Sequence, residues 1–255
     1  MLTVRVETSD DDEWAGKHSK LRSLAEAMLF HVTYAEGIGL TLTGSWERDY
    51  YRLGLRRNSE LQFPLRIYNH ELLAYYSLAF GTDSLLLAYI ALYKILEYFF
   101  TASSEKPLLC GIAAKLVEPD FSYTKEKKLR ELTKIIRSHD AKFNERRLLQ
   151  AVLEDHLNIA EVRDWITEFD KQNSAYFTTE RNVFAKDMKV DISDDELFPT
   201  IATRIYHIRN VLVHNKEGED ARFIPFSGQE KDLRKEIPLL LYLAERLIIT
   251  DGKDI

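Results

Sequence analysis

The chain has 255 residues, 45% hydrophobic and 30% charged, a balance that excludes a disordered chain. Its 35 Lys and Arg stand against 41 Asp and Glu. The net charge of −6 excludes a surface that binds nucleic acid everywhere, so any such contact needs a local basic patch. The single cysteine, Cys110, excludes an intramolecular disulfide and a cysteine-built zinc site.

Residues 1–62 read as a small mixed α+β segment of unassigned role. Leu2-Thr3-Val4-Arg5-Val6 alternates like a strand, and Asp10, Asp11, Asp12 and Glu13 make an acidic loop. Residues 19–34 read as a helix, and 37–44 and 51–55 as short strands. No apolar signal run opens the chain. Residues 63–255 read as a helical domain. The first helix is 70–80. Gly81-Thr82-Asp83-Ser84 breaks it and supplies cap residues for the next. That next segment, SLLLAYIALYKILEYFF at 84–100, is short for a membrane span and carries Lys94 and Glu97. It reads as a buried core helix ending near Ser103 and Ser104. A cytoplasmic protein without membrane contact is expected.

Helices follow at 125–137 and 143–156, with a short one at 165–170 and an irregular connection over 173–196. Leu197, Ile201, Ile205, Ile208 and Leu212 then form one apolar stripe of an amphipathic helix. Ser193 or Asp194 can cap its start, and Asn215 and Gly218 can stop it. After an extended piece at 223–226, Leu233, Ile237, Leu240, Ala244 and Leu247 mark a last helix. Pro238 must kink that helix or sit in its first turn.

The face opposite the first of these stripes carries Thr203, His207, Asn210 and His214, polar residues without a fixed charge. An ordinary solvent face holds Lys, Glu or Arg, so this one is expected to meet something. Arg209-Asn210-Val211-Leu212-Val213-His214 puts a fixed cation, an amide and a neutral-range proton carrier close together. On an ideal helix Arg209 and His214 lie about 140° apart, an angle that a long side chain or a second copy of the helix would have to recover. The chemistry these residues fit is RNA cleavage. RNA carries its own nucleophile, the 2′-hydroxyl. Histidine suits the proton transfers, and arginine's fork suits the phosphate. No metal or cofactor is needed, and DNA lacks the nucleophile.

The same residues resemble the signature of HEPN domains, helical ribonuclease-like modules of prokaryotic toxin and antiviral systems. The wider pattern is similar to the Apea-like HEPN group. Its pieces are YIALYKILEYFF at 89–100, IYHIRNVLVH at 205–214, Ile224-Pro225-Phe226 and Ile237-Pro238-Leu239-Leu240. The likeness covers residues 64–250. It implies a mainly α, HEPN-like helical bundle that forms a homodimer with a composite active site. It also implies cleavage to a 2′,3′-cyclic phosphate in antiviral defence or a toxin system. Arg209 and His214 carry over as the catalytic pair and Asn210 as the residue orienting them. His207, Lys216 and Glu97 are supporting candidates, although Lys94 beside Glu97 also fits a plain intrahelical pair. Many toxin members have Tyr two residues after the histidine, a target for nucleotidylation. Lys216 stands there, so that control does not carry over.

Residues 125–147 hold nine Lys and Arg against four Asp and Glu. Lys125, Lys127, Lys128, Arg130 and Lys134 are the candidate RNA track, with a solvated helical face as the plainer reading. Arg52, Arg56, Arg57 and Arg66, near Trp46, Tyr50 and Tyr51, form a weaker basic cluster. The sequence contains no phosphate-binding loop, zinc-protease helix or nucleophile elbow. A non-catalytic helical module that binds RNA or a protein partner remains the alternative. An active ribonuclease further calls for a regulatory protein or an activating ligand.

Overall fold

The computed structural model describes residues 18–37, 42, 66–142, 144–214 and 222–254. The chain divides into two compact units, residues 1–49 with 224–230, and residues 50–223 with 231–255. In the first unit the described helix is α1 (His18–Glu36). It ends at Gly37, whose φ of +66° lets its amide bond back to the Thr33 carbonyl at 2.9 Å. The strands expected at 2–6, 37–44 and 51–55 lie outside the described residues, save Gly37 and Leu42.

The second unit is mainly helical, as expected. Strand β1 (Arg66–Ile67) leads into α2 (His70–Gly81) and α3 (Leu85–Tyr98). Side chains set these starts. Asn69 accepts from the Glu71 amide to begin α2, and Ser84 accepts from the Leu87 amide to begin α3. Tyr89, Leu92, Ile95 and Leu96 of α3 are fully buried. The 85–116 stretch is long and apolar enough to cross a membrane, but 56% of its apolar window is buried inside the protein. Truncating Leu92 to Ala there would cost about 2–5 kcal/mol.

Next come α4 (Phe100–Leu116), α5 (Glu126–Lys142), α6 (Glu145–His156) and α7 (Ile159–Gln172). The hairpin β2 (Arg181–Val183) and β3 (Lys186–Met188) follows, then α8 (Leu197–Val213), α9 (Glu230–Asp251) and β4 (Lys253–Asp254). Helix α8 packs against α6 and α3. Its predicted stripe is buried at Leu197, Ile201, Ile205 and Ile208, and all five stripe residues of α9 are at 0% exposure. Strand β4 pairs antiparallel with β1, with Arg66 opposite Asp254. Gly252 makes this close approach feasible, because a Cβ there would come within 2.8 Å of the Tyr68 ring.

Four expectations are corrected. The apolar helix does not end at Ser103 and Ser104. Both lie in α4, where the Ser104 hydroxyl bonds back to the Thr101 carbonyl at 2.9 Å instead of breaking the helix. The short helix at 165–170 is the fourteen-residue α7, begun by Asn158, whose side chain accepts from the Ala160 and Glu161 amides. The stretch 173–196 contains the hairpin. Neither Ser193 nor Asp194 occupies the N-cap of α8. Glu196 does, since Asp194 pairs with Arg163 and the Ser193 amide donates to Asp191. Of the two places open to Pro238, the first turn is ruled out: it lies in the interior of α9 and removes the amide that would have bonded the Arg234 carbonyl.

Candidate active site

Helix α8 stops at Val213, and His214 is its C-cap, with φ −103° and ψ 109°. That extended conformation answers the 140° problem. The chain leaves helical geometry one residue before the imidazole is placed, and Arg209 Nη1 reaches His214 Nε2 at 3.3 Å within a single chain. A guanidinium only donates, so Nε2 is the acceptor in this contact and the ring proton is assigned to Nδ1. Asn210 ties the pair at two points. Its Oδ1 accepts from Arg209 Nη1 at 3.1 Å, and its carbonyl accepts from the His214 amide at 2.8 Å. His214 is exposed and Asn210 is partly buried. The angular reason for a second copy therefore falls away.

Two residues that sequence reasoning passed over complete the surroundings. Arg209 Nη2 lies 3.2 Å from Glu145 Oε1, and the Arg209 and Glu145 side chains are only 19% and 27% exposed. The same Glu145 oxygen accepts from the Tyr93 hydroxyl at 2.8 Å. Arg209 Cζ sits 5.7 Å from the centre of the Tyr93 ring, a cation–π distance. Burial, then the bond to Glu145, pushes the Tyr93 hydroxyl far above its ordinary range, so it stays a proton donor to the carboxylate. Glu145 opens α6 directly after its Asn144 cap, where the helix dipole favours a negative charge. One signal for Glu145 was present in the sequence. Three and four residues from Arg209 on its own helix stand Ile205, Tyr206, Leu212 and Val213, none of them acidic, so the counter-charge had to come from elsewhere.

The other candidates separate. His207 Nε2 donates to the Val183 and Phe184 carbonyls at 3.0 and 3.2 Å. Those carbonyls belong to a hairpin turn in which Phe184 and Ala185 hold φ of 47° and 65°, a conformation unfavourable for residues with a Cβ. The Thr203 hydroxyl bonds the Pro199 carbonyl within α8. The uncharged stripe thus meets, through His207, a hairpin of its own chain. Glu97 forms the intrahelical pair with Lys94 at 2.7 Å, close enough to Tyr93 for its charge to be felt there. Lys216 lies outside the described residues.

In the basic run, Lys128 contacts Asp120, Glu118 and Glu131, and Arg130 contacts Glu126 at 2.6 Å. Hydrogen bonds from Lys115 hold Glu118 and Glu131, and one from Lys128 holds Asp120, below the usual carboxylate range. Lys125, Lys127 and Lys134 are exposed. Among the described residues no group of three or more His, Cys, Asp or Glu side chains is placed to hold a metal ion. A cavity of about 140 Å³, lined by His156, Asn158, Glu161, Tyr242 and Arg246, is built without any residue of the Arg209–His214 cluster. No protein-family model matches the chain, and no curated protein or solved structure matches it either.

Proposed function

We propose that this chain is a metal-independent RNA endonuclease of HEPN type, with Arg209 and His214 as its catalytic pair. The observation that carries the reading is the 3.3 Å contact between Arg209 and His214 at the exposed end of α8, with Asn210 bonded to both. Arg209 would bind the scissile phosphate and neutralise the charge that builds on it. An arriving phosphate draws Arg209 Nη1 away from His214 Nε2 and frees that lone pair. The 2′-hydroxyl oxygen then attacks phosphorus, its proton passes to an imidazole, and the bond to the 5′-oxygen breaks. A second proton goes to that oxygen. The products are a 2′,3′-cyclic phosphate and a 5′-hydroxyl.

One chain places one imidazole beside one guanidinium, whereas the reaction has a proton to remove and a proton to supply. Two copies in a homodimer would provide both in one composite cleft. An enzyme of this kind would act on RNA in the cytoplasm, and the resemblance implies antiviral defence or a toxin system, held silent there by a partner that the purified chain lacks.

The test is cleavage of mixed RNA with end-group analysis in the presence of a chelator. Wild type is expected to leave cyclic phosphates and to spare DNA and RNA with a 2′-deoxy residue at the scissile position. Arg209→Ala and His214→Ala are expected to be inactive yet folded. Cleavage unchanged in both variants would sink the proposal. A second reading, a module that binds RNA or a protein without cutting, is favoured by one observation: Arg209 is mostly covered and already paired with Glu145. Binding without cleavage at high enzyme concentration would select it.

A further inference from the structure

The geometry points to Glu145, held by Tyr93, as the positioning residue of Arg209. This inference rests on reading the Arg209–His214 pair as an RNA-cleaving centre. A guanidinium on a long stem has many rotamers, and in-line attack needs one pose relative to the rest of the site. Four contacts hold the guanidinium at rest, and the one to His214 opens when phosphate binds. Asn210 and His214 come from the same helix end as Arg209 and move with it. Tyr93 comes from α3 and Glu145 from α6, so these two fix the guanidinium relative to the bundle. Both are themselves fixed. Tyr93 is 1% exposed, and Glu145 is the first residue of a helix whose start Asn144 caps by accepting from the Arg147 amide at 3.0 Å. The carboxylate oxygen facing Arg209 is also tied at 2.8 Å to the Tyr93 hydroxyl, so it cannot follow the guanidinium if that group swings outward.

The donor count leaves room for a substrate. A guanidinium carries five N–H groups, and the contacts to Asn210, His214 and Glu145 engage three at most. A phosphate arriving at the others shares the cation with Glu145. The carboxylate therefore opposes ground-state capture of RNA while it holds the catalytic pose. Removing its charge should tighten RNA binding and slow the chemical step together, which a residue serving only the fold would not do.

The experiment compares single-turnover cleavage of a short single-stranded RNA by wild type, Glu145→Gln, Glu145→Ala and Tyr93→Phe, with thermal melting of each. Glu145→Gln keeps the shape and the acceptor oxygen, and decides the matter if Glu145→Ala fails to fold. The expected result is a kcat lowered about 10- to 100-fold in the Glu145 variants, with KM unchanged or lower. Tyr93→Phe should show a smaller loss of the same kind. Glu145→Gln should add little to Arg209→Lys, because it acts through the arginine. Wild-type kcat and KM in folded Glu145→Gln would overturn the inference and leave the ribonuclease reading standing, provided Arg209→Ala is inactive. Wild type that cuts no RNA would overturn both.

Discussion

Two arginines on α8, five residues apart, meet opposite fates. Arg204 is 0% exposed, and its Nε and Nη2 both bond Glu236, itself 3% exposed, at 2.8 Å. Tyr176 donates to the same carboxylate at 2.6 Å, and the rings of Tyr176 and Phe177 lie 5.5 and 5.3 Å from Arg204 Cζ. Burial, then the Glu236 charge, raises the Tyr176 hydroxyl above its ordinary range, so Tyr176 keeps its proton near neutrality. Arg209 also has a carboxylate and an aromatic ring, but its Nη2 stays 3.2 Å from Glu145 Oε1, and it stands at a helix end beside an exposed imidazole. Similar partners thus build a closed joint in one place and an open one in the other. The open joint retains capacity for a ligand, and that difference is what marks Arg209.

The sharpest way to break this comparison is to remove each cation in turn. Arg209→Ala should abolish cleavage, a loss of at least about 10²–10³-fold, and leave the urea midpoint nearly in place. Arg204→Ala should do the reverse. It strands a buried carboxylate and should cost about 3–5 kcal/mol in urea unfolding. Equal damage to stability from both variants would erase the distinction. Replacing both partners, Arg204→Met with Glu236→Leu, should recover most of that cost, since apolar side chains of similar volume need no compensating charge. The recovery should stop short by about 1–3 kcal/mol, because the Tyr176 hydroxyl loses its acceptor.

Much of the bundle was legible because apolar spacing is a local signal. The stripe from Leu197 to Ile208 and that from Leu233 to Leu247 are buried as their periods require. The Ser84 cap of α3, within the break at 81–84, was equally readable. Pairing across the chain was not. Nothing local couples Arg204 to Glu236, 32 residues away, or Arg209 to Glu145 on another helix. The contact between Arg209 and His214 escaped periodicity for a different reason. Helical angles hold only to Val213, and the departure of His214 from helical geometry brings the two side chains together. The hairpin escaped because its turn residues, Phe184 and Ala185, are not the Asn-Gly or Asp-Gly that mark such turns.

The two histidines of α8 refine the same contrast at smaller scale. His207 faces inward to two carbonyls of a strained turn, and His214 faces Arg209. His207→Ala should therefore cost about 1 kcal/mol of stability and leave cleavage within a few-fold of wild type. Loss of cleavage comparable to His214→Ala, in a folded protein, would return His207 to the site.

The smallest effect concerns the other end of α6. Glu145 begins that helix and His156 ends it, with the His156 ring 4.8 Å from Phe99. Burial pushes the His156 imidazole below its ordinary range. Below a pH of about 6.5 the unfolded chain binds a proton that the folded chain refuses, so stability falls as the pH drops from there toward the folded value. Urea midpoints at pH 7.5 and 5.5 should differ in wild type and converge in His156→Gln. The carboxylates paired with Lys115 and Lys128 are also depressed, but they lose their stabilisation only at more acid pH, below about 4.5. The variant has a second use. Any fall in cleavage between pH 7 and 5.5 includes loosening of the α6 scaffold. In His156→Gln that contribution is gone, so the remaining profile comes from outside the α6 scaffold. A wild-type fall that disappeared entirely in His156→Gln would assign the pH response to the scaffold.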